Sequence, residues 1–196
     1  MTEIVELDTP HGLARAHLHH VDDPRAGLVL GHGAGGGVAA PDLVTATKAA
    51  IEAGVSVALV EQPYRVAGRR SSPRAPQLDA AWIAVVEQLP FDTVITGGRS
   101  AGARVACRTA AATDSVGVLC LAFPLLPSGA APEKSRQGEL DAAGVPVLVV
   151  QGENDRFGMP APAGSREVVT VAGDHGLKKD QPRIADAVRA WLDRLL

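Results

Sequence analysis

The sequence has few cysteines, few aromatic residues and no long hydrophobic run. Its two cysteines, Cys107 and Cys120, provide no disulfide framework, and both fall in segments that are predicted to be core. Aromatic residues make up 3% of the 196 residues, so the core must be built from Val, Leu, Ile and Ala. The longest apolar run, residues 116–126, is too short to span a bilayer and contains Pro124. These shortages argue against a disulfide-rich scaffold and against a helical membrane span.

The charge balance is mildly acidic. A formal net charge of -3 gives no reason to expect nucleic acid or an anionic membrane as a partner, which leaves a small-molecule substrate. The first eight residues are acidic and lack the apolar stretch of a secretory signal peptide. The expected location is therefore the cytoplasm.

Continuous apolar runs alternate along the chain with longer segments of helical periodicity. The predicted strands are residues 13–19, 27–30, 55–60, 93–96, 116–122, 145–150 and 167–171. The predicted helices are residues 41–53, 77–89, 101–112, 138–143 and 181–196. Residues 61–76 carry four Pro or Gly residues and are predicted to be a loop. Apolar strands alternating with helices indicate one doubly wound α/β domain over residues 1–196, with a mostly parallel sheet covered on both faces.

Three polar residues that are suited to catalysis each follow a different predicted strand. Ser100 lies in the sequence GGRSAG, between a short β-branched run and an alanine-rich helix. Asp155 follows the next-to-last predicted strand, and His175 follows the last one. Because the carboxyl ends of parallel strands meet at one edge of the sheet, we expect these side chains to lie close together.

A serine between a strand and a helix has two interpretations. It can cap the helix, or it can be a nucleophile held out of the sheet on a tight turn. A serine hydroxyl becomes nucleophilic when a neutral imidazole accepts its proton, and a carboxylate fixes the tautomer of that imidazole. Gly98 and Gly102 keep side chains out of the turn. The order of serine, acid and histidine at three strand ends favours the nucleophile.

A glycine-rich segment supplies a possible oxyanion site. The sequence HGAGGG, residues 32–37, follows a predicted buried strand and can expose backbone N–H groups. We assign the backbone N–H groups of Ala34 and Ala101 to this role. Removal of one such donor typically costs on the order of 10²–10³ in rate.

The sequence resembles the α/β-hydrolase superfamily. The matching motifs are HGAGGG at residues 32–37, GGRSAG at 97–102, QGENDRFG at 151–158 and GDHG at 173–176. More narrowly, it is similar to the small lid-less dienelactone-hydrolase-like group, which is related to a hydrolase-like domain in a subunit of the non-specific-lethal histone acetylation complex. The resemblance implies Ser100 as nucleophile, Asp155 as acid and His175 as base. True dienelactone hydrolases use a cysteine nucleophile, so their substrate is not implied here.

The same glycines also fit a dinucleotide-binding fingerprint. Residues 31–36 match Gly-x-Gly-x-x-Gly, and Glu61 ends the next strand, where a ribose-binding acid would lie. Against this hypothesis, the next helix is predicted to begin only near Pro41. The hypothesis also leaves Ser100 and the acid and histidine after it unexplained.

Several other residues have a functional and a structural interpretation. His32, Tyr64 and Arg69 are candidate substrate contacts, although His32 could instead shape its loop and Arg69 could lie in a solvated arginine-rich segment. Glu153 and Asp174 are alternative acids. The metal-site hypothesis for the histidine cluster at residues 17, 19 and 20 lacks a third ligand type nearby, so a solvated strand is favoured.

The residues favour a serine hydrolase of the carboxylesterase or thioesterase type that uses no cofactor. The connection between Phe123 and Gly138 is too short for a helical lid, which predicts an open pocket and small or exposed esters. The alternative function is a hydrolase-fold binding or scaffold protein that retains the three residues without useful turnover. The sequence leaves the acyl group, the leaving group and the oligomeric state open.

Overall fold

A single mixed sheet organises the fold in the computed structural model, which describes residues 2–127, 129 and 131–196. Within those residues the strands are β1 Thr2–Thr9, β2 Gly12–His19, β3 Ala26–Gly31, β4 Val55–Glu61, β5 Val94–Arg99, β6 Gly117–Leu121, β7 Val147–Gly152 and β8 Arg166–Val171. They are arranged in the order β1-β2-β4-β3-β5-β6-β7-β8. The β1–β2 and β2–β4 pairs are antiparallel, and the remaining pairs from β4 to β8 are parallel.

Helices cover both faces of this sheet. They are α1 Pro41–Glu52, α2 Pro63–Val66, α3 Ala75–Glu87, α4 Ala101–Thr109, α5 Gln137–Asp141 and α6 Gln181–Leu195, with a short 3₁₀ helix at Pro132–Lys134. Helices α1 and α6 pack together on one face, and α3, α4 and α5 pack on the other. Proline opens α1, α2, α3 and α6 within the first turn, where its missing N–H costs no helical hydrogen bond.

The central strands are buried on both faces, which explains their continuous apolar sequence. All six residues of β3 are buried, and so are all six of β7. Within β3, Leu28 and Leu30 pack towards α1, while Val29 packs towards α3. Burial of one such side chain stabilises the fold by roughly 1.5–3 kcal/mol, so these strands fix the sheet that carries the site.

The predicted fold class is confirmed, and the differences lie at the edges. The doubly wound, mostly parallel α/β sheet is present. The sequence interpretation missed β1, and it assigned residues 61–76 to a loop that in fact contains α2 and the start of α3. The predicted lid-less connection between Phe123 and Gly138 includes positions 128 and 130, which lie outside the described residues.

Both cysteines lie in the core, as predicted. The Sγ atoms of Cys107 on α4 and Cys120 on β6 are 3.5 Å apart, and both residues are fully buried. The contact with Cys107, together with burial, raises the pKa of the Cys120 thiol well above its usual range. No helix in the described part of the chain is long and apolar enough to cross a membrane.

Candidate active site

Ser100 occupies a strained turn between β5 and α4. Its backbone has φ 53° and ψ -107°, a conformation that L-residues rarely adopt and that is typical of strained functional positions. The turn packs closely against β3, because a Cβ on Gly98 would lie 2.5 Å from the carbonyl oxygen of Gly31. A Cβ on Gly102 would lie 2.4 Å from the same oxygen. Glycine is therefore required at positions 98 and 102, because any larger residue would overlap the backbone of β3.

The structure brings Ser100, His175 and Asp155 into one hydrogen-bonded chain. His175 Nε2 lies 2.9 Å from Ser100 Oγ, and His175 Nδ1 lies 2.8 Å from Asp155 Oδ2. The Asp155 side chain is fully buried, whereas the His175 side chain is 19% exposed. A buried carboxylate on Nδ1 favours the tautomer that carries its proton there, which leaves Nε2 to accept the serine proton.

Gln151 holds the Asp155 carboxylate in place. The fully buried Gln151 amide nitrogen lies 2.8 Å from Asp155 Oδ2, 3.0 Å from the Phe123 carbonyl and 2.9 Å from the Gly158 carbonyl, so its two N–H groups are shared among three acceptors. The other carboxylate oxygen, Oδ1, accepts the backbone N–H of Phe157 at 2.9 Å. Both oxygens of the acid are therefore held by hydrogen bonds that do not involve the histidine.

The imidazole of His175 also packs against an aromatic ring. The rings of Phe157 and His175 meet edge to face, with centroids 4.4 Å apart. Phe157 lies in the same loop as Asp155, so one loop contacts the histidine through both a carboxylate and a ring. This packing limits rotation of the imidazole about its own bonds.

His32 and Tyr64 support the glycine-rich loop. His32 is 3% exposed, and its Nδ1 lies 2.8 Å from the Gly33 carbonyl while its Nε2 accepts the Gln62 backbone N–H at 3.1 Å. Burial lowers the pKa of His32, which favours the neutral ring that these two contacts require. The Tyr64 hydroxyl donates to the Ala34 carbonyl at 2.9 Å. This geometry favours loop support for both side chains over the substrate contact predicted from sequence.

Arg69 is exposed and lines a cavity of about 740 Å³ between the β1–β2 turn and α2. Its backbone N–H donates to the Tyr64 carbonyl at 2.8 Å, which closes α2. A smaller cavity next to Ala101 and His32 shares Tyr64 with the larger one. A substrate contact by Arg69 therefore stays a prediction, because the described lining of the larger cavity includes no residue of the glycine-rich loop and none of Ser100, Asp155 and His175.

The alternative acids do not contact the histidine ring. Glu153 is exposed and accepts from Asn154, and Asp174 accepts the backbone N–H of Gly176 within its own turn at 2.9 Å. Glu61, the candidate ribose-binding acid, contacts His17 Nε2 at 3.0 Å. Helix α1 begins at Pro41, well after the glycines, which disagrees with a dinucleotide fingerprint.

The histidine cluster near the start of the chain is tied to acids on neighbouring strands. His17 contacts Glu61, and His20 Nε2 lies 3.1 Å from Glu3 Oε2. Burial, followed by the nearby His17, lowers the pKa of His19. Among the described residues, no group of three or more His, Cys, Asp and Glu side chains is placed to hold a metal ion.

The sequence interpretation gave no role to Gln151 and Phe157, described above, or to Arg99 and Asp42. Arg99 Nη2 donates to the His175 backbone carbonyl at 2.9 Å, and Arg99 Nε lies 3.0 Å from the fully buried Asp42 Oδ2. The available signal was an arginine directly before the serine in an otherwise small-residue motif, and an acid at the second position of α1.

An eight-stranded α/β sheet with a serine on a tight turn after its fifth strand defines the class of an α/β hydrolase. The sequence matches the family described as "Alpha/beta hydrolase domain" over residues 24–186, and the chain belongs to this family. The family resemblance predicted from sequence is therefore confirmed. A search of curated protein sequences finds no significant match to the chain.

Solved structures with the same fold include lid-less and dienelactone hydrolases. A protein from Xanthomonas campestris described as an α/β serine hydrolase without lid is 20% identical, with a TM-score of 0.77 over 100% of this chain and 95% of that one. The dienelactone hydrolase of Anabaena variabilis is 14% identical, with a TM-score of 0.79 over 99% and 97%. Est1E of Butyrivibrio proteoclasticus with bound ferulic acid is 16% identical, with a TM-score of 0.75 over 97% and 98%.

Proposed function

We propose that this α/β hydrolase is a serine hydrolase of the carboxylesterase or thioesterase type that acts on a small ester-like substrate. The observation that carries the proposal is the unbroken hydrogen-bonded chain from Ser100 through His175 to Asp155. Ser100 also has the strained backbone that exposes a nucleophile above the sheet. Each of the three side chains follows the carboxyl end of a strand, where ligands bind in open α/β sheets.

In the proposed reaction, Ser100 Oγ attacks the carbonyl carbon while His175 Nε2 accepts the hydroxyl proton. The resulting imidazolium is stabilised by Asp155, whose carboxylate has no exposure to solvent. The imidazolium then protonates the departing alcohol or thiol, and an acyl-enzyme remains on Ser100. Water attacks this ester with His175 as general base, which releases the acid and regenerates the serine.

Two backbone N–H groups are proposed to bind the oxyanion. Ala101 is the first residue of α4, and an N–H at that position has no partner within the helix. Ala34 lies in the glycine-rich loop, where Tyr64 and His32 hold neighbouring carbonyl groups. The N-terminus of α4 adds favourable partial positive charge for the developing oxyanion.

The substrate is proposed to be a small acyl ester or thioester. The structural relative that binds ferulic acid gives a reason to include hydroxycinnamate esters, because ferulic acid is itself the acid of such an ester. The small cavity that adjoins the proposed oxyanion site is the one lined by His32 and Ala101, whereas the described lining of the cavity of about 740 Å³ includes none of the three proposed catalytic residues. A panel of acetyl, butyryl and feruloyl esters, with matching thioesters, spans these options.

The test is labelling of the purified protein by a fluorescent fluorophosphonate, followed by turnover of the ester panel. The wild type is expected to label on Ser100, and Ser100→Ala and His175→Ala are expected to lose labelling. Removal of a nucleophile or its base lowers turnover by about 10⁴–10⁶. The matched control is Ser165→Ala, which removes an exposed serine and is expected to label like the wild type.

The location of the label distinguishes the alternatives. A folded wild type that does not react with the probe would refute an activated serine and would favour a binding or scaffold protein. Labelling that survives in Ser100→Ala would place the nucleophile elsewhere. Equal labelling in wild type and His175→Ala would remove His175 from the proposed mechanism.

A further inference from the structure

The guanidinium of Arg99 contacts three segments that surround the serine. Its Nη2 donates to the His175 carbonyl at 2.9 Å, and its Nε lies 3.0 Å from Asp42 Oδ2 at the start of α1. Its Nη1 lies against the glycine-rich loop, where a Cβ on Gly33 would come within 3.0 Å of it. Arg99 is itself the residue before Ser100, so it connects the serine turn to the loops on either side.

We propose that Arg99, held by Asp42, is a positioning residue that fixes the loop of His175 at its hydrogen-bonding distance from Ser100. This inference rests on the proposed function of Ser100 and His175. It assigns a role to an ion pair that makes no contact with Asp155 or Gln151. The imidazole is thus held through its Nδ1 by the acid, and the backbone of the same residue is held by Arg99.

The histidine loop follows an edge strand, so regular sheet pairing does not extend to His175. Strand β8 pairs only with β7 among the described strands, and His175 lies four residues beyond its end. The loop contains Gly173 at φ 119° and Leu177 at φ 45°, so its backbone departs from regular structure on both sides of the histidine. A charge-assisted hydrogen bond to the His175 carbonyl holds the loop where sheet pairing has ended.

Arginine suits this position better than lysine does. The guanidinium spreads its charge over a planar fork of five N–H groups, so one N–H donates to the His175 carbonyl while the group forms an ion pair with Asp42, whose Oδ2 accepts no hydrogen bond from the described residues. Lysine carries a compact charge that cannot span both. The Arg99 side chain is 18% exposed and Asp42 is fully buried, so solvent screens their interaction weakly. Burial raises the pKa of Asp42, and the neighbouring Arg99 charge opposes that shift.

The test compares Arg99→Met and Asp42→Asn with the wild type in ester turnover, fluorophosphonate labelling and thermal unfolding. Loss of the Arg99 contact lets the histidine loop shift, and a misplacement of about 1 Å costs up to roughly 10²-fold in rate. We expect kcat and the labelling rate of Arg99→Met to fall about 10- to 100-fold, with KM changed by less than about threefold. Asp42→Asn is expected to show the same pattern to a smaller extent.

The matched control is Arg104→Met, which breaks another half-buried arginine–carboxylate pair, on the helix that follows Ser100. Arg104 Nη2 lies 2.6 Å from Glu139 Oε1, and the pair contacts neither His175 nor the glycine-rich loop. It is expected to retain the wild-type kcat. A fall in kcat for Asp42→Asn cannot arise from a lost substrate contact, since the Asp42 side chain has no exposure.

A crystal structure of Arg99→Met gives a readout that does not depend on activity. The inference predicts that the distance from His175 Nε2 to Ser100 Oγ increases from 2.9 Å to beyond hydrogen-bonding range. An unchanged distance with labelling within twofold of wild type would overturn the inference, as would a rise in KM alone. A displaced loop in a protein whose wild type does not label would support the positioning contact while refuting the proposed hydrolase.

Discussion

Two glycines at the second residue of a helix give the sharpest test of the serine turn. Gly102 is the second residue of α4, and Gly138 is the second residue of α5. Helix propensity alone predicts that alanine at either position stabilises the protein, by up to about 1 kcal/mol. The structure instead predicts that alanine destabilises the protein at Gly102 and stabilises it at Gly138, because the space around the two glycines differs.

The magnitude follows from the surroundings of each Cβ. A Cβ on Gly102 would lie 2.4 Å from the Gly31 carbonyl oxygen and 3.0 Å from the His32 carbonyl oxygen, both backbone atoms of the sheet and its following loop. Relief of this overlap requires α4 to move by about 1 Å, and overpacking of this kind typically costs about 1–3 kcal/mol. At Gly138 a Cβ meets nothing within 4 Å, so alanine there gains helix propensity without a clash.

The assay is urea unfolding of Gly102→Ala and Gly138→Ala, together with the rate of fluorophosphonate labelling. Gly102→Ala is expected to unfold at lower urea and to label up to about 10²-fold more slowly, because the shift moves Ser100 relative to His175. Gly138→Ala is expected to keep the wild-type rate with an equal or higher midpoint. A Gly102→Ala protein with the wild-type midpoint and rate would refute the close packing of α4 on β3.

The remaining predictions concern Gln151 and His32. Gln151→Leu removes the hydrogen-bond donor that lies 2.8 Å from Asp155 Oδ2. Because loss of a hydrogen bond to a charged group costs about 1.5–3 kcal/mol, both the urea midpoint and the labelling rate should fall. An unchanged midpoint and rate would contradict this prediction. The pKa of His32 lies below its ordinary 6.5 in the fold, so on acidification the unfolded state takes up this proton first. Stability from this group is complete above about pH 6.5 and declines as the pH falls towards the lowered folded value, by up to 1.4 kcal/mol per unit. Urea midpoints measured from about pH 7.5 to about pH 5 at constant ionic strength should therefore decline less steeply in His32→Gln than in wild type. The similar contribution of His19 remains in both proteins. Equal slopes would contradict the prediction.

The sequence predicted the fold where local pattern and tertiary environment agree. The central parallel strands β3, β4, β6 and β7 were recognisable because burial on both faces makes them continuous apolar runs. Strand β1 was missed because it lies at the edge of the sheet and is rich in acids. Among the described side chains of β1, Val5 and Leu7 pack towards the core, so the alternation is short and weak.

The candidate site was predictable to the extent that its residues follow strands. Ser100, Asp155 and His175 each stand at a strand end, and this local signal predicted which residues the topology would bring together. The contacts of Arg99 could not be predicted in this way, because they join it to residues 57 and 76 positions away in the chain. Partners at such separations are set by packing of whole elements and leave no periodic trace in the sequence.

The place of His175 beyond an edge strand also determines when the site exists. His175 pairs with a serine 75 positions earlier, and the loop that presents it follows the edge strand β8 and keeps its place through side-chain contacts with Arg99 and Asp155 and a backbone hydrogen bond from Asn154 to Gly173. Opening of that outermost strand costs less free energy than unfolding of the whole sheet, because the edges of a structure can open locally while the core stays folded. A reactive serine in this molecule would therefore report that the last strand is docked, and the chemistry would be lost in partly opened molecules that still retain most of their secondary structure.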